Sequence, residues 1–306
     1  MKGAGNSGTD RSMKAITLLL VATLFFATQD ALTKYLVQTL PASQIVAVRF
    51  FFFALFALIY ISQRSGLRAA FKSRRPWMQV VRGLLLSSEI IVFAYAIRFL
   101  GLAEMHTIFA CFPLLVTALS VPFLGESVGW RRWLAVFFGF IGTLIILRPG
   151  TGVFEPAAVI ALTAAFMFSI YNVLTRKVSH YDSFETSLLY MALFGFAGCM
   201  VIAPFYWSPV TTGEVYWLLL ISITSITGHL LLIKSLALAP AALLQPFNYF
   251  LLVWAIIIGF LLYGEVLAPA TLLGAAIVVG SGIFIARREY RLLNKKGSDL
   301  INSRIN

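Results

Sequence analysis

Hydrophobic residues in this chain run in long blocks, and polar residues are confined mostly to the gaps between them. Ten blocks are long enough, at roughly 20 residues, to cross a bilayer as helices. They lie at about 14–36, 41–62, 77–98, 102–123, 130–148, 156–176, 184–204, 215–236, 240–263 and 267–286. Pro41, Pro76, Pro156 and Pro240 stand at block starts, where a helix tolerates proline. The fold predicted is an all-α polytopic membrane protein of ten transmembrane helices. Most connections are short; the longest polar one, Gln63 to Arg75, is strongly basic.

The second half of the chain repeats the first. Gln29-Asp30-Ala31-Leu32-Thr33-Lys34 corresponds to Tyr171-Asn172-Val173-Leu174-Thr175-Arg176. Arg98-Phe99-Leu100-Gly101-Leu102-Ala103 leads through an apolar run to Gly125-Glu126. Lys234-Ser235-Leu236-Ala237-Leu238-Ala239 leads likewise to Gly264-Glu265. Each copy holds five spans, and an odd number places the copies in opposite orientations, the arrangement of alternating-access carriers. The predicted units are a disordered cytoplasmic tail at 1–13, a first repeat at 14–148, a second at 156–286 and a basic cytoplasmic tail at 287–306.

Composition agrees with a lipid solvent: 60% of residues are hydrophobic and 12% charged, where a soluble domain carries nearer a quarter charged. The net charge of +12 reads as orientation and headgroup contact rather than nucleic-acid binding. With a cytoplasmic N-terminus, 19 of the 24 Lys and Arg fall on the cytoplasmic side. Lys34, Arg98 and Arg148 fall opposite, and Arg49 and Arg82 lie within spans. Both termini are therefore expected in the cytoplasm. The first apolar run lacks a clear cleavage site and reads as a retained span. Cys111 and Cys199 lie inside apolar runs, with no CxxC pair and no cysteine–histidine cluster, so neither a disulfide framework nor a zinc site is expected.

Two five-span repeats, each with a Gly-Glu pair before a glycine-rich last span (Gly139-Phe140-Ile141-Gly142; Gly274 and Gly280-Ser281-Gly282), resemble the EamA-type branch of the drug/metabolite transporter superfamily. The patterns Arg49-Phe50-Phe51-Phe52, Arg82-Gly83-Leu84-Leu85-Leu86 and Gly129-Trp130-Arg131-Arg132-Trp133 are similar to bacterial members that take up S-adenosylmethionine. Other similar members carry riboflavin or export amino acids. The resemblance covers residues 13–288. It implies an inner-membrane carrier of a small metabolite with no bound cofactor, in which the fifth and tenth spans serve as scaffold or homodimer contacts.

Charges within spans are costly and face a cavity or a partner. Asp30, Arg49, Arg82 and Glu89 are such charges. Asp30 either lines a central cavity or pairs with Lys34 four residues on, along one helix face. Arg82, one turn inside its span, reads as snorkelling to the interface. Asn172 occupies the position of Asp30 in the second repeat. The fourth span carries His106 and Phe109 before Pro113, and the ninth carries Gln245, Asn248 and Tyr249 around Pro246. Proline within a span frees a carbonyl and lets the helix bend, so these groups are candidates for reading a polar ligand. They are equally consistent with kinks that serve packing alone. Tyr249 and Phe109 can stack on a planar cargo. His229 is a candidate proton carrier or a hydrogen-bonded packing residue, and Tyr95 adds an aromatic hydroxyl. Glu126 and Glu265, at membrane edges, read as caps of the helices that follow them.

The residues thus predict substrate binding by Asp30, Arg49, Glu89, Tyr95, His106, Phe109, Asn172, His229, Gln245, Asn248 and Tyr249. No HExxH, GxSxG or Walker loop is present, so an enzyme is not expected. A membrane scaffold would explain ten spans but not repeated polar positions at similar depth.

Overall fold

The computed structural model describes residues 6–126 and 156–266, with part of the stretches 129–141 and 268–284. Among these residues the structure is helical and free of strands. Eleven α-helices are defined: α1 Asn6–Leu36, α2 Ala42–Arg64, α3 Leu67–Ala70, α4 Pro76–Ala96, α5 Leu102–Phe109, α6 Phe112–Leu124, α7 Pro156–Val178, α8 Phe184–Met200, α9 Thr212–Leu238, α10 Ala241–Asn248 and α11 Phe250–Tyr263. Seven membrane-length apolar segments result, with α5–α6 and α10–α11 each acting as one interrupted span. The 17-residue helix α8 is also apolar. The predicted spans 130–148 and 267–286 fall largely outside the described residues.

The helices end where local chemistry requires. Pro41 and Pro240 precede α2 and α10, and Pro76 opens α4. Ser183 caps α8 by accepting from the Thr186 amide at 3.1 Å. Thr211 and Glu214 form a reciprocal capping box on α9. Gly125 and Gly264 close α6 and α11 in the left-handed region, at φ 68° and 63°, which an L side chain adopts only with strain.

Interruption of α5–α6 follows from Pro113. A proline clashes with the carbonyl four residues before it, and α5 ends at that residue, Phe109. The break between α10 and α11 falls at Tyr249, three residues beyond Pro246, and the same rule does not place it there.

Packing runs chiefly between the two halves of the sequence. Helix α1 lies along α9, α4 along α7 and α8, and α2 along α8. In lipid such contacts rest on close backbone approach rather than on expulsion of water. The Ser235 hydroxyl donates to the Ala15 carbonyl at 2.8 Å across the α1–α9 contact. On α8, a Cβ at Gly195 would overlap the Phe50 ring of α2. Gly195→Ala is therefore expected to destabilise the protein by about 1–3 kcal/mol, the usual cost of overpacking, read as a lower melting temperature in detergent.

Candidate functional site

The two helix breaks face each other near the middle of the bundle. A cavity of about 10 Å³ between them is lined by His106, Phe109, Phe112, Pro113, Asn248 and Tyr249, among others. Charged and polar side chains gather beside it from α1, α2, α4, α5 and α9. His106 Nε2 stands 3.3 Å from Asp30 Oδ2, although the contact lacks hydrogen-bond geometry. Arg49 donates to Gln29 Oε1 at 2.9 Å and to Ser225 Oγ at 3.0 Å. His229 Nδ1 lies 3.0 Å from the Ser225 carbonyl. Glu89 is buried within the electrostatic reach of both Asp30 and Arg49. Two carboxyl groups, Asp30 and Glu89, thus share this site with one guanidinium, Arg49.

Aromatic rings wall this cluster. Phe93 lies 5.6 Å from His106 and 5.1 Å, edge-on, from Phe109. Phe109, Phe112 and Phe168 form a triangle with centroids 5.0–5.5 Å apart, and Phe168 stacks on Tyr171 at 5.8 Å. Several buried polar atoms near this wall have no hydrogen-bond partner: Tyr249 Oη, His106 Nδ1, Asn172 Oδ1 and Arg49 Nε. Buried polar groups are normally paired, and an unpaired one costs about 1–3 kcal/mol. A polar ligand at the breaks would offset that cost.

The structure brings together Asp30, Arg49, Glu89, His106, Phe109, Asn248 and Tyr249. Asn172 and Gln245 are buried but bond within their own helices, to the Phe168 and Ala241 carbonyls. Gln245 Oε1 also accepts from Asn248. His229 packs against the Phe26 and Phe53 rings. Tyr95 stands apart: it is 49% exposed and lines a lateral groove of about 630 Å³ with Arg98 and Tyr206, at the end of the bundle that carries the α1–α2 loop. Gln29 and Ser225 were missing from the sequence reading. Their signals were present, in Gln29 beside Asp30 and in Ser222, Ser225 and His229 along one face of α9.

Two expectations are corrected. Arg82 does not snorkel: it is fully buried. It donates to Gln79 Oε1 at 2.9 Å, to the Ser187 carbonyl at 2.5 Å and to Thr175 Oγ1 at 3.3 Å, and it lies over the Tyr171 ring. Gln79 in turn donates to Asp182, which also accepts from Ser73 and the Arg74 amide. Second, Lys34 does not pair with Asp30; it forms an ion pair with Glu265. In addition, Glu126 and Glu265 each cap a helix of the opposite half. Glu265 accepts from the Leu102 and Ala103 amides at 2.9 and 3.0 Å, and Glu126 accepts from the Ala241 amide at 3.2 Å. Burial works to raise the Glu265 pKa, but Lys34 and the two amides outweigh it and hold the carboxyl below its ordinary range. The Glu265 contacts therefore persist at neutral pH and weaken as pH falls through that lowered value.

These features define a helical membrane protein with a charged, ring-walled site buried at two broken spans. The EamA-like transporter family model matches residues 13–148 and again 155–287, and the chain belongs to that family. It is similar to an S-adenosylmethionine uptake transporter of Rickettsia bellii, 26% identical over 90% of this chain and 94% of the relative. A riboflavin transporter of Vibrio cholerae is 30% identical over 89% and 92%. A pseudopaline exporter, CntI, of Pseudomonas aeruginosa is 26% identical over 91% and 98%. A solved crystal structure shares the fold with a TM-score of 0.65 at 18% identity, covering 92% of this chain and 98% of that one.

Proposed function

We propose that this chain is a secondary transporter of a small, planar, cation-bearing or zwitterionic metabolite in the bacterial inner membrane. In this reading ten spans form two inverted five-span repeats, residues 14–148 and 156–286, with both termini in the cytoplasm. The repeats rock about the central site so that it opens to one side at a time. The basic residues concentrated on one side support that orientation.

One observation carries the choice of cargo. Asp30 and Glu89 outnumber Arg49 at the site, and Phe93, Phe109, Phe112 and Phe168 surround it. Acidic side chains recognise a cationic or amine-bearing ligand, and aromatic faces hold both a cation and a flat ring. S-adenosylmethionine has a sulfonium, an amino-acid end and a planar adenine, and the R. bellii relative is named for its uptake. Asp30, Arg49, Glu89, His106, Phe109, Asn248 and Tyr249 would contact the cargo, with Asn172, Gln245 and His229 supporting them. Tyr95 would lie on the approach rather than at the site. Proton coupling would pass through Asp30, Glu89 or His106. Export of an amino-acid-like metabolite is the second reading, favoured by the P. aeruginosa relative.

Purified protein in liposomes, offered labelled S-adenosylmethionine, riboflavin and amino acids with and without a pH gradient, tests this. Saturable S-adenosylmethionine uptake is the expected result. Saturable riboflavin uptake without it would replace the cationic cargo with a neutral planar one.

A further inference from the structure

The two Gly-Glu pairs, read above as structural, sit at opposite ends of the bundle in equivalent settings. At one end, Glu265 follows the left-handed Gly264 that closes α11 and reaches the first amides of α5. Lys34, from the end of α1, pairs with it and approaches the Leu100 carbonyl at 3.5 Å. At the other end, Glu126 follows the left-handed Gly125 that closes α6 and reaches the first amide of α10. Arg176, from the end of α7, lies in the field of Glu126 and donates to the Leu236 carbonyl at 2.9 Å. Lys34 and Arg176 are the same position of the repeated motif, and so are Leu100 and Leu236.

Each broken span is thus tied at both of its ends to the other broken span, and a basic residue from a third helix pairs with one tie and lies in the field of the other. Between the ties lie the two breaks and the small central cavity. With both ties made, that cavity holds about 10 Å³, too little for a metabolite. Separating α5 from α11 at one end requires Glu265 to leave two amides and Lys34. Separating α10 from α6 at the other end requires Glu126 to leave Ala241.

We propose that Glu265 with Lys34, and Glu126 with Arg176, are two equivalent latches at opposite membrane faces, and that release of one opens the central site to that face alone. They are positioning residues, with no contact to cargo. What passes when a latch opens rests on the transport reading; that each latch controls one face does not.

The chain carries its own reporter. Of its two cysteines, Cys111 is buried at the α5–α6 break and Cys199 lies in α8. In a Cys199→Ala background, Cys111 is the single thiol, and a membrane-impermeant maleimide is added from one face or the other of oriented vesicles. No cargo is needed. Glu265→Gln should raise labelling from the Lys34 face about tenfold, the effect of losing roughly 1.4 kcal/mol of charge-assisted bonding, and leave the opposite face unchanged. Glu126→Gln should do the reverse. Lys34→Met leaves both Glu265 amide bonds in place and should act in the same direction more weakly, so it preserves the test if Glu265→Gln fails to insert. Labelling that is unaltered, or that rises equally from both faces, overturns the latches. Wild-type uptake in liposomes decides the transport reading separately.

Discussion

Glu89→Gln is expected to lower the initial rate of uptake by at least about thirtyfold while the protein still reaches the membrane. Asp30→Asn should lower it comparably. Each change keeps the shape of the side chain and removes one of the two carboxyl groups that share the site with Arg49. Breaking a desolvated charge contact costs about 2–5 kcal/mol, and the lower figure corresponds to that thirtyfold effect. The two variants should differ in one respect. Asp30 faces His106 at 3.3 Å, so the effect of Asp30→Asn should be non-additive with that of His106→Gln, whereas the effect of Glu89→Gln should add to it. Uptake by the single and double variants, normalised to protein in the membrane, checks both. Full activity in both variants would remove these carboxylates from the site.

The largest loss of stability is expected at Arg82. Arg82→Ala strips hydrogen bonds from Gln79, Thr175 and the Ser187 carbonyl at once, and leaves a void over the Tyr171 ring. Unpaired buried acceptors and a cavity together cost about 3–5 kcal/mol. Arg82→Lys restores the charge without the planar fork and should recover only part of it. Thermal unfolding in detergent provides the measurement. A surface-facing arginine would give almost no change, so the result separates the buried position from the snorkelling one.

The sequence marked most span ends because proline and glycine act locally: Pro41, Pro76 and Pro240 start helices, and Gly125 and Gly264 stop them. It also marked the depth of Asp30, Arg49 and Glu89, since a charge within an apolar run is conspicuous. Pairings across long separations were not legible. Lys34 is four residues from Asp30 and 231 from Glu265, and periodicity sees only the first relation. Arg82 lies one turn from a span end, where lysine and arginine often reach water, and only the packing of α4 on α7 and α8 closes that route. The side on which Tyr95 falls depended on which face of α4 meets neighbouring helices, a choice that a nearly uniform apolar run leaves unmarked.

Arg49 and Arg82 have a bearing on how the chain is made. Arg49 bonds to Ser225, 176 residues further on, and Arg82 to Thr175 and Ser187, 93 and 105 residues further on. While the ribosome is still producing the second half, both guanidiniums are already within nascent membrane helices and lack these partners. The first half of the chain is therefore an incomplete product that must remain beside the insertion machinery, or keep water around the two arginines, until α7, α8 and α9 emerge. The halves repeat each other in sequence, but the unit that becomes stable in the bilayer is the whole.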